Sequence, residues 1–211
     1  MLKVYRTTLV LGLIFCIINI TGCREKTNEE IFIIAQNTLN ELESYSATIS
    51  YRVMEDGEER EYRLKQWVSM PACFKIQLME PDNLVGKTIV SDGKEILVEH
   101  SRIGDSLRIE VEDLEQRRPL FIGDFLKSFW MAEDVSKRIH IDEGVKYLVL
   151  TCPSLEAGVL GGIQELWLRA PNITPSKMVT YNEHNEVTSL ILFEEFDHSW
   201  QGGQDFFQIG E

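Results

Sequence analysis

The sequence predicts an α+β protein: one antiparallel sheet of about eleven strands, accompanied by two helices. Three observations lead there. Apolar residues recur at every second position through most of the chain. The breaks between these runs are of hairpin length and carry Gly, Asp and Asn. A helical period appears only twice, near residues 27–42 and 119–130. Strand runs joined by short turns build antiparallel meanders, not parallel β-α-β units.

The first helix opens at Thr27, with Glu30 three residues on, the signature of a capping box. Ile31, Ile34, Ala35, Thr38, Leu39 and Leu42 follow at helical spacing and give it one apolar face. From Tyr45 the period changes to two: Tyr45, Ala47, Ile49, Tyr51 and Val53 alternate with polar residues, as in a half-buried strand. The segment 55–58 turns the chain, 62–70 returns, and Pro71 ends the run. Residues 74–78 form the next strand. Residues 86–90 and 95–98 flank Ser91-Asp92-Gly93-Lys94, whose Asp-Gly pair suits a tight hairpin. Leu107, Ile109 and Val111 complete a sixth strand.

The segment 119–130 interrupts the meander. Phe121, Phe125, Leu126, Phe129 and Trp130 lie three to four residues apart in a stretch that is apolar on nearly every side. It is too short to span a bilayer, which needs roughly 20 residues. It is expected to plug the concave face of the sheet as an aromatic helix. Strands then resume at 137–141, 145–150, 164–169, 177–181 and 187–193, separated by the turn 142–144, a Gly-rich stretch at 158–162, a loop bounded by Pro171 and Pro175, and the turn 182–185. The tail carries Trp200, Phe206, Phe207 and Ile209. It has three uses open to it: packing on its own sheet, pairing with a partner's edge, or exchange between protomers in a homodimer.

The N-terminus reads as a signal peptide. Lys3 and Arg6 precede an uncharged run of 16 residues, 7–22, that ends in Ile20-Thr21-Gly22-Cys23. That tetrapeptide resembles the lipobox of bacterial lipoproteins, whose cysteine is acylated, with palmitate among the chains, and becomes the first mature residue. The expected organisation is a lipoprotein signal peptide at 1–22 and a single domain at 23–211, lipid-anchored through Cys23 on the extracytoplasmic face of a membrane. Several acyl chains suffice for anchoring, at about 0.8 kcal/mol per buried CH₂.

The net charge of −13 argues against nucleic acid and against broad electrostatic docking on anionic lipid. Cleavage would remove Lys3 and Arg6 and no acid, leaving the mature chain more acidic still. Cys73 and Cys152 each end an apolar run. They are read either as buried thiols or as a disulfide, which an extracytoplasmic compartment permits. His100, His140, His184 and His198 show no ligand spacing, so no metal is expected. There is no Gly-x-Ser-x-Gly elbow, and the glycines at 158–162 open no helix that would cradle phosphate. The reading is no catalytic residue, no cofactor and no enzyme. Phe121, Phe125, Phe129 and Trp130 are the candidate lining of an apolar cavity, which their own bulk could equally fill.

The order of N-terminal helix, strand meander and interposed helix resembles the LolA/LolB fold. So does Phe74-Lys75-Ile76, then Glu80-Pro81, then Val90-Ser91-Asp92-Gly93-Lys94 with Ile96. The resemblance implies a strongly curved half-barrel with helices across its mouth over an apolar cavity. Within that superfamily, the lipobox, the hairpin and Pro119-Leu120-Phe121-Ile122-Gly123-Asp124-Phe125-Leu126 resemble the GerS-like germination lipoproteins of spore-forming clostridia. What this implies is a non-enzymatic protein on a cell or forespore membrane that works with an N-acetylmuramoyl-alanine amidase in spore cortex modification. A lipid or lipoprotein carrier or receptor is the alternative. Carriers of this fold hold a lid closed with an arginine inside the cavity. Arg52 and Arg63 lie on suitable strands but in no recognisable motif, so no role is carried onto them.

Overall fold

The computed structural model describes residues 25–55, 57–110, 120–154 and 162–209. The lipobox and Cys23, Val111, Pro119 and the glycines at 158 and 161 lie outside the described residues.

Helix α1 (Asn28–Asn40) starts at the expected capping box. Thr27 Oγ1 accepts the Glu30 N–H at 3.3 Å, and Glu30 Oε2 accepts the Thr27 N–H at 2.7 Å. Its apolar stripe buries Ile31, Ala35 and Leu39. Then come β1 (Ser44–Glu55), β2 (Glu58–Ser69), β3 (Cys73–Glu80), β4 (Lys87–Asp92), β5 (Glu95–His100) and β6 (Asp105–Glu110). Helix α2 (Ile122–Met131) interrupts. Strands β7 (Ser136–Asp142), β8 (Val145–Pro153), β9 (Ile163–Arg169), β10 (Thr174–Tyr181) and β11 (Val187–Asp197) complete the sheet. All eleven strands belong to one antiparallel sheet that is curved and not closed. Among the described residues no helix is long and apolar enough to cross a membrane.

The strand order is β6-β5-β4-β3-β2-β1-β11-β10-β9-β8-β7. Each half is a meander of nearest neighbours. The last strand pairs with the first at the centre, Tyr51 facing Ile191 and Ile49 facing Phe193. Because β6 and β7 occupy opposite edges, the chain must cross the sheet between them, and α2 lies in that crossing.

Alternation gives the sheet two unlike faces. One carries Tyr45, Ile49, Leu64, Ile76, Leu148, Leu166 and Met178 and packs with both helices into the main core. The opposite face is not simply polar. Thr48 and Ser50 are buried there, their hydroxyls donating to Glu195 and Glu61. Trp167 lies on that face with Lys177 Nζ 4.0 Å from its ring centroid, and Arg138 bridges to the buried Glu165 at 2.8 Å. The C-terminal tail also packs on its own sheet, over this second face: Phe206 meets Trp67 at 5.7 Å, Trp200 meets Phe206 and Phe207, and Phe207 is buried.

Candidate binding site beside the interposed helix

Helix α2 is positioned from its first residue. Phe121 at the N-cap offers no side-chain acceptor. The missing partner comes from β1: the Tyr45 hydroxyl, fully buried, accepts the Ile122 N–H at 3.3 Å. Burial pushes the Tyr45 pKa up, so the ring stays neutral, and it stacks on Phe196 at 5.1 Å. Ile122 and Phe125 are wholly buried, while Phe121 packs on Phe74 at 4.8 Å. A side chain at Gly123 would bring Cβ within 2.9 Å of Met70 Sδ, so the small residue lets the Met70 side chain, just past β2, pack against the helix.

Two apolar cavities flank α2. One, about 480 Å³, lies between α1, α2 and the start of β7, with Phe32, Leu39, Phe129, Trp130, Val135, Leu148 and Leu150 on its walls. Glu29 and Lys137 bring charge to it, and the Lys137 ammonium sits 4.7 Å from the Phe32 ring centroid. The other, about 410 Å³, lies between the start of α2 and strands β2 to β5, walled by Val68, Phe74, Ile76, Ile89, Ile96 and Phe121. Of the four aromatic residues named from the sequence, Phe129 and Trp130 thus stand at one cavity and Phe121 at the other. Phe125 lines neither and fills the core between them. Trp130 and Met131 are 52% and 75% exposed, although the segment is apolar on nearly every side. The helix ends at Met131, and in its last turn Ser128 and Phe129 stay buried while Trp130 and Met131 face outward.

Apolar walls with few polar groups suit an acyl chain or another apolar guest. Cys73 and Cys152 are free thiols. Burial and the nearby Asp92 raise the Cys73 pKa, and burial lifts Cys152 to about 11, so neither is an activated nucleophile. Among the described residues no three of His, Cys, Asp and Glu gather as a metal site. Arg52 and Arg63 lie on the face opposite the cavities, where Arg63 pairs with Glu194 at 2.8 Å and Arg52 with Glu61 at 3.6 Å. Sequence reasoning missed Gln66: it is fully buried on the helix side of β2, and neither its amide nitrogen nor its oxygen has a partner. The signal was its inward position between Leu64 and Val68.

A family model described as sporulation protein YdcC-like matches residues 4–207. The chain belongs to that family. Sporulation protein YdcC of Bacillus subtilis (strain 168) is 18% identical over 199 residues, which cover 94% of this chain and 58% of that protein. The YdcC-like chain therefore spans under two thirds of the length of that relative. An uncharacterised conserved protein of Thermus thermophilus is similar with a TM-score of 0.56 at 14% identity, covering 88% of this chain and 96% of that one, which shows a shared fold. The GerS lipoprotein, solved in complex with the CwlD amidase of Clostridioides difficile, is similar at 23% identity with a TM-score of 0.47, covering 83% of this chain and 98% of that one.

Proposed function

We propose that this YdcC-like protein is a lipid-anchored, non-enzymatic lipoprotein. It binds and supports a cell-wall N-acetylmuramoyl-alanine amidase during spore cortex modification, at the extracytoplasmic face of a cell or forespore membrane. The observation that carries the reading is the sporulation-family match, which runs from the signal-like N-terminus to the C-terminal tail. The resemblance of the Asp-Gly hairpin and of the segment 119–126 to GerS-like lipoproteins supplies the kind of partner. In this reading both helices lie on the concave face of the sheet. Glu25, two residues past Cys23, pairs with Lys146 on β8 and supports a domain held close to its anchor. Three measurements test this. Cys23→Ala, which removes the thiol that takes the lipid, should abolish lipid labelling. Deletion of the gene should remove muramic-δ-lactam from the cortex, and capture from sporulating cells should recover an amidase. Normal muramic-δ-lactam with no amidase recovered would overturn the amidase role.

A second reading is favoured by the two apolar cavities: a carrier or receptor for a lipid or lipoprotein. Acyl ligands extracted from the purified protein and seen by mass spectrometry would support it. Anchoring weighs against shuttling between membranes but not against a receptor.

A further inference from the structure

We propose that β7 is a self-complementary edge at which a second copy of this chain pairs antiparallel, about a twofold axis through His140. This goes beyond the amidase reading and does not depend on it.

The open sheet ends at β7 among the described residues, with β8 as its one neighbour. Asp142 faces Val145 across the two-residue turn Glu143-Gly144, both with positive φ. Such a turn closes on a hydrogen-bonded pair, and hydrogen-bonded pairs alternate along an antiparallel ladder. The even-numbered residues of β7 therefore bond β8. The N–H and C=O groups of Lys137, Ile139 and Ile141 point outward, a row ready for another strand.

Directly opposed residues share a face, so a twofold axis must pass through a residue of β7. Three central registers compete. An axis through Arg138 opposes two guanidinium groups. One through Ile139 sets Arg138 against His140. One through His140 sets Arg138 against the partner subunit's Asp142 on both sides of the axis, Lys137 against the partner subunit's Glu143, and Ile139 against the partner subunit's Ile141. Opposite charges and an apolar pair then flank the self-opposed His140 on both sides of the axis, with Glu143 contributing from the turn that follows the strand. Arg138 is already braced, Nη2 on Glu165 at 2.8 Å and Nη1 on Thr151 at 3.2 Å, and its five donors leave capacity for a further carboxylate.

The surroundings argue for a large cover as well. Ile141 is 64% exposed at one end of β7, while Trp130 and Val135, 52% and 39% exposed, stand at the other. Antiparallel pairing brings each copy's Val135 end beside the other's Ile141 end. At the far edge, β6 opposes Arg108 to Glu110 only in a register that uses its last three residues, so the two edges are not equivalent.

The test uses the full chain in detergent. His140→Cys should yield an oxidised dimer whose disulfide maps to position 140 in both copies, because side chains meeting at the axis of a non-hydrogen-bonded pair lie within disulfide reach. Asp142→Arg, an exposed site, should cut that crosslink at least tenfold. Ile141→Pro, which removes an outward N–H and none of the bonds to β8, should leave a folded monomer by light scattering. A monomeric wild-type chain, links at other positions, or a dimer that survives both Asp142→Arg and Ile141→Pro would overturn the proposal. The last outcome would point to exchange of a segment instead.

Discussion

Two buried polar side chains carry opposite consequences. Tyr45 is an inward residue of an alternating strand, and its hydroxyl caps a helix 77 positions away. Tyr45→Phe keeps the ring and orphans the Ile122 N–H, so urea unfolding should show a loss of about 1–3 kcal/mol. Gln66 buries an amide whose nitrogen and oxygen both lack partners. Gln66→Met, similar in volume, should raise stability by about 1–3 kcal/mol in the same assay. A decrease would mean that the amide has a partner in solution. The alternation marks Tyr45 as inward-facing, whereas Gln66, a polar residue at an inward position, does not declare itself in the same way. It carried no sign of which helix would arrive above them, because that contact joins residues far apart in sequence.

Single elements were legible where chemistry is local. The capping box of α1 and the Asp-Gly hairpin between β4 and β5 stand where the sequence placed them. Gly93 holds φ of +94°, a region that other residues rarely adopt. Beside it, the Asp92 carboxylate accepts the N–H of Glu95 at 2.9 Å and of Lys94 at 2.8 Å, and these bonds hold its pKa below the ordinary 3.8. A carboxylate with a depressed folded pKa stabilises fully above its unfolded pKa and loses that contribution as pH falls through the folded value. Unfolding midpoints followed from about pH 6 to about pH 2 should therefore show a small decline below about pH 4 that Asp92→Asn lacks. The aromatic helix was legible as an element but not as a partition. Phe125 is fully buried between two cavities, and Phe125→Ala should cost about 3–5 kcal/mol in thermal or urea unfolding.

For the whole molecule, the decisive pairing is β1 with β11, and nothing local announces it. Hairpins declare themselves through turn residues, whereas this ladder joins Thr48 to Glu195 across 147 positions. The tail was similarly unplaced: aromatic residues after Phe196 are compatible with either face of the sheet, and they took the one opposite the helices. Central strands open only with the whole fold, and edges open alone. Amide exchange should therefore be slowest in β1 and β11 and fastest in β6, the edge strand that no second copy pairs. Uniform protection across all eleven strands would contradict the open-sheet topology.

That central ladder also sets a timetable for biogenesis. Strand β1 is among the first structured segments to be synthesised, yet its second neighbour is almost the last. At roughly 5–20 residues per second, the interval is on the order of ten to thirty seconds. Throughout it the N-terminal meander exists with its innermost strand bare on one side. A sheet built this way stays in two halves until its last strand has been made. Only the arrival of residues 187–197 turns two half-sheets into one protein.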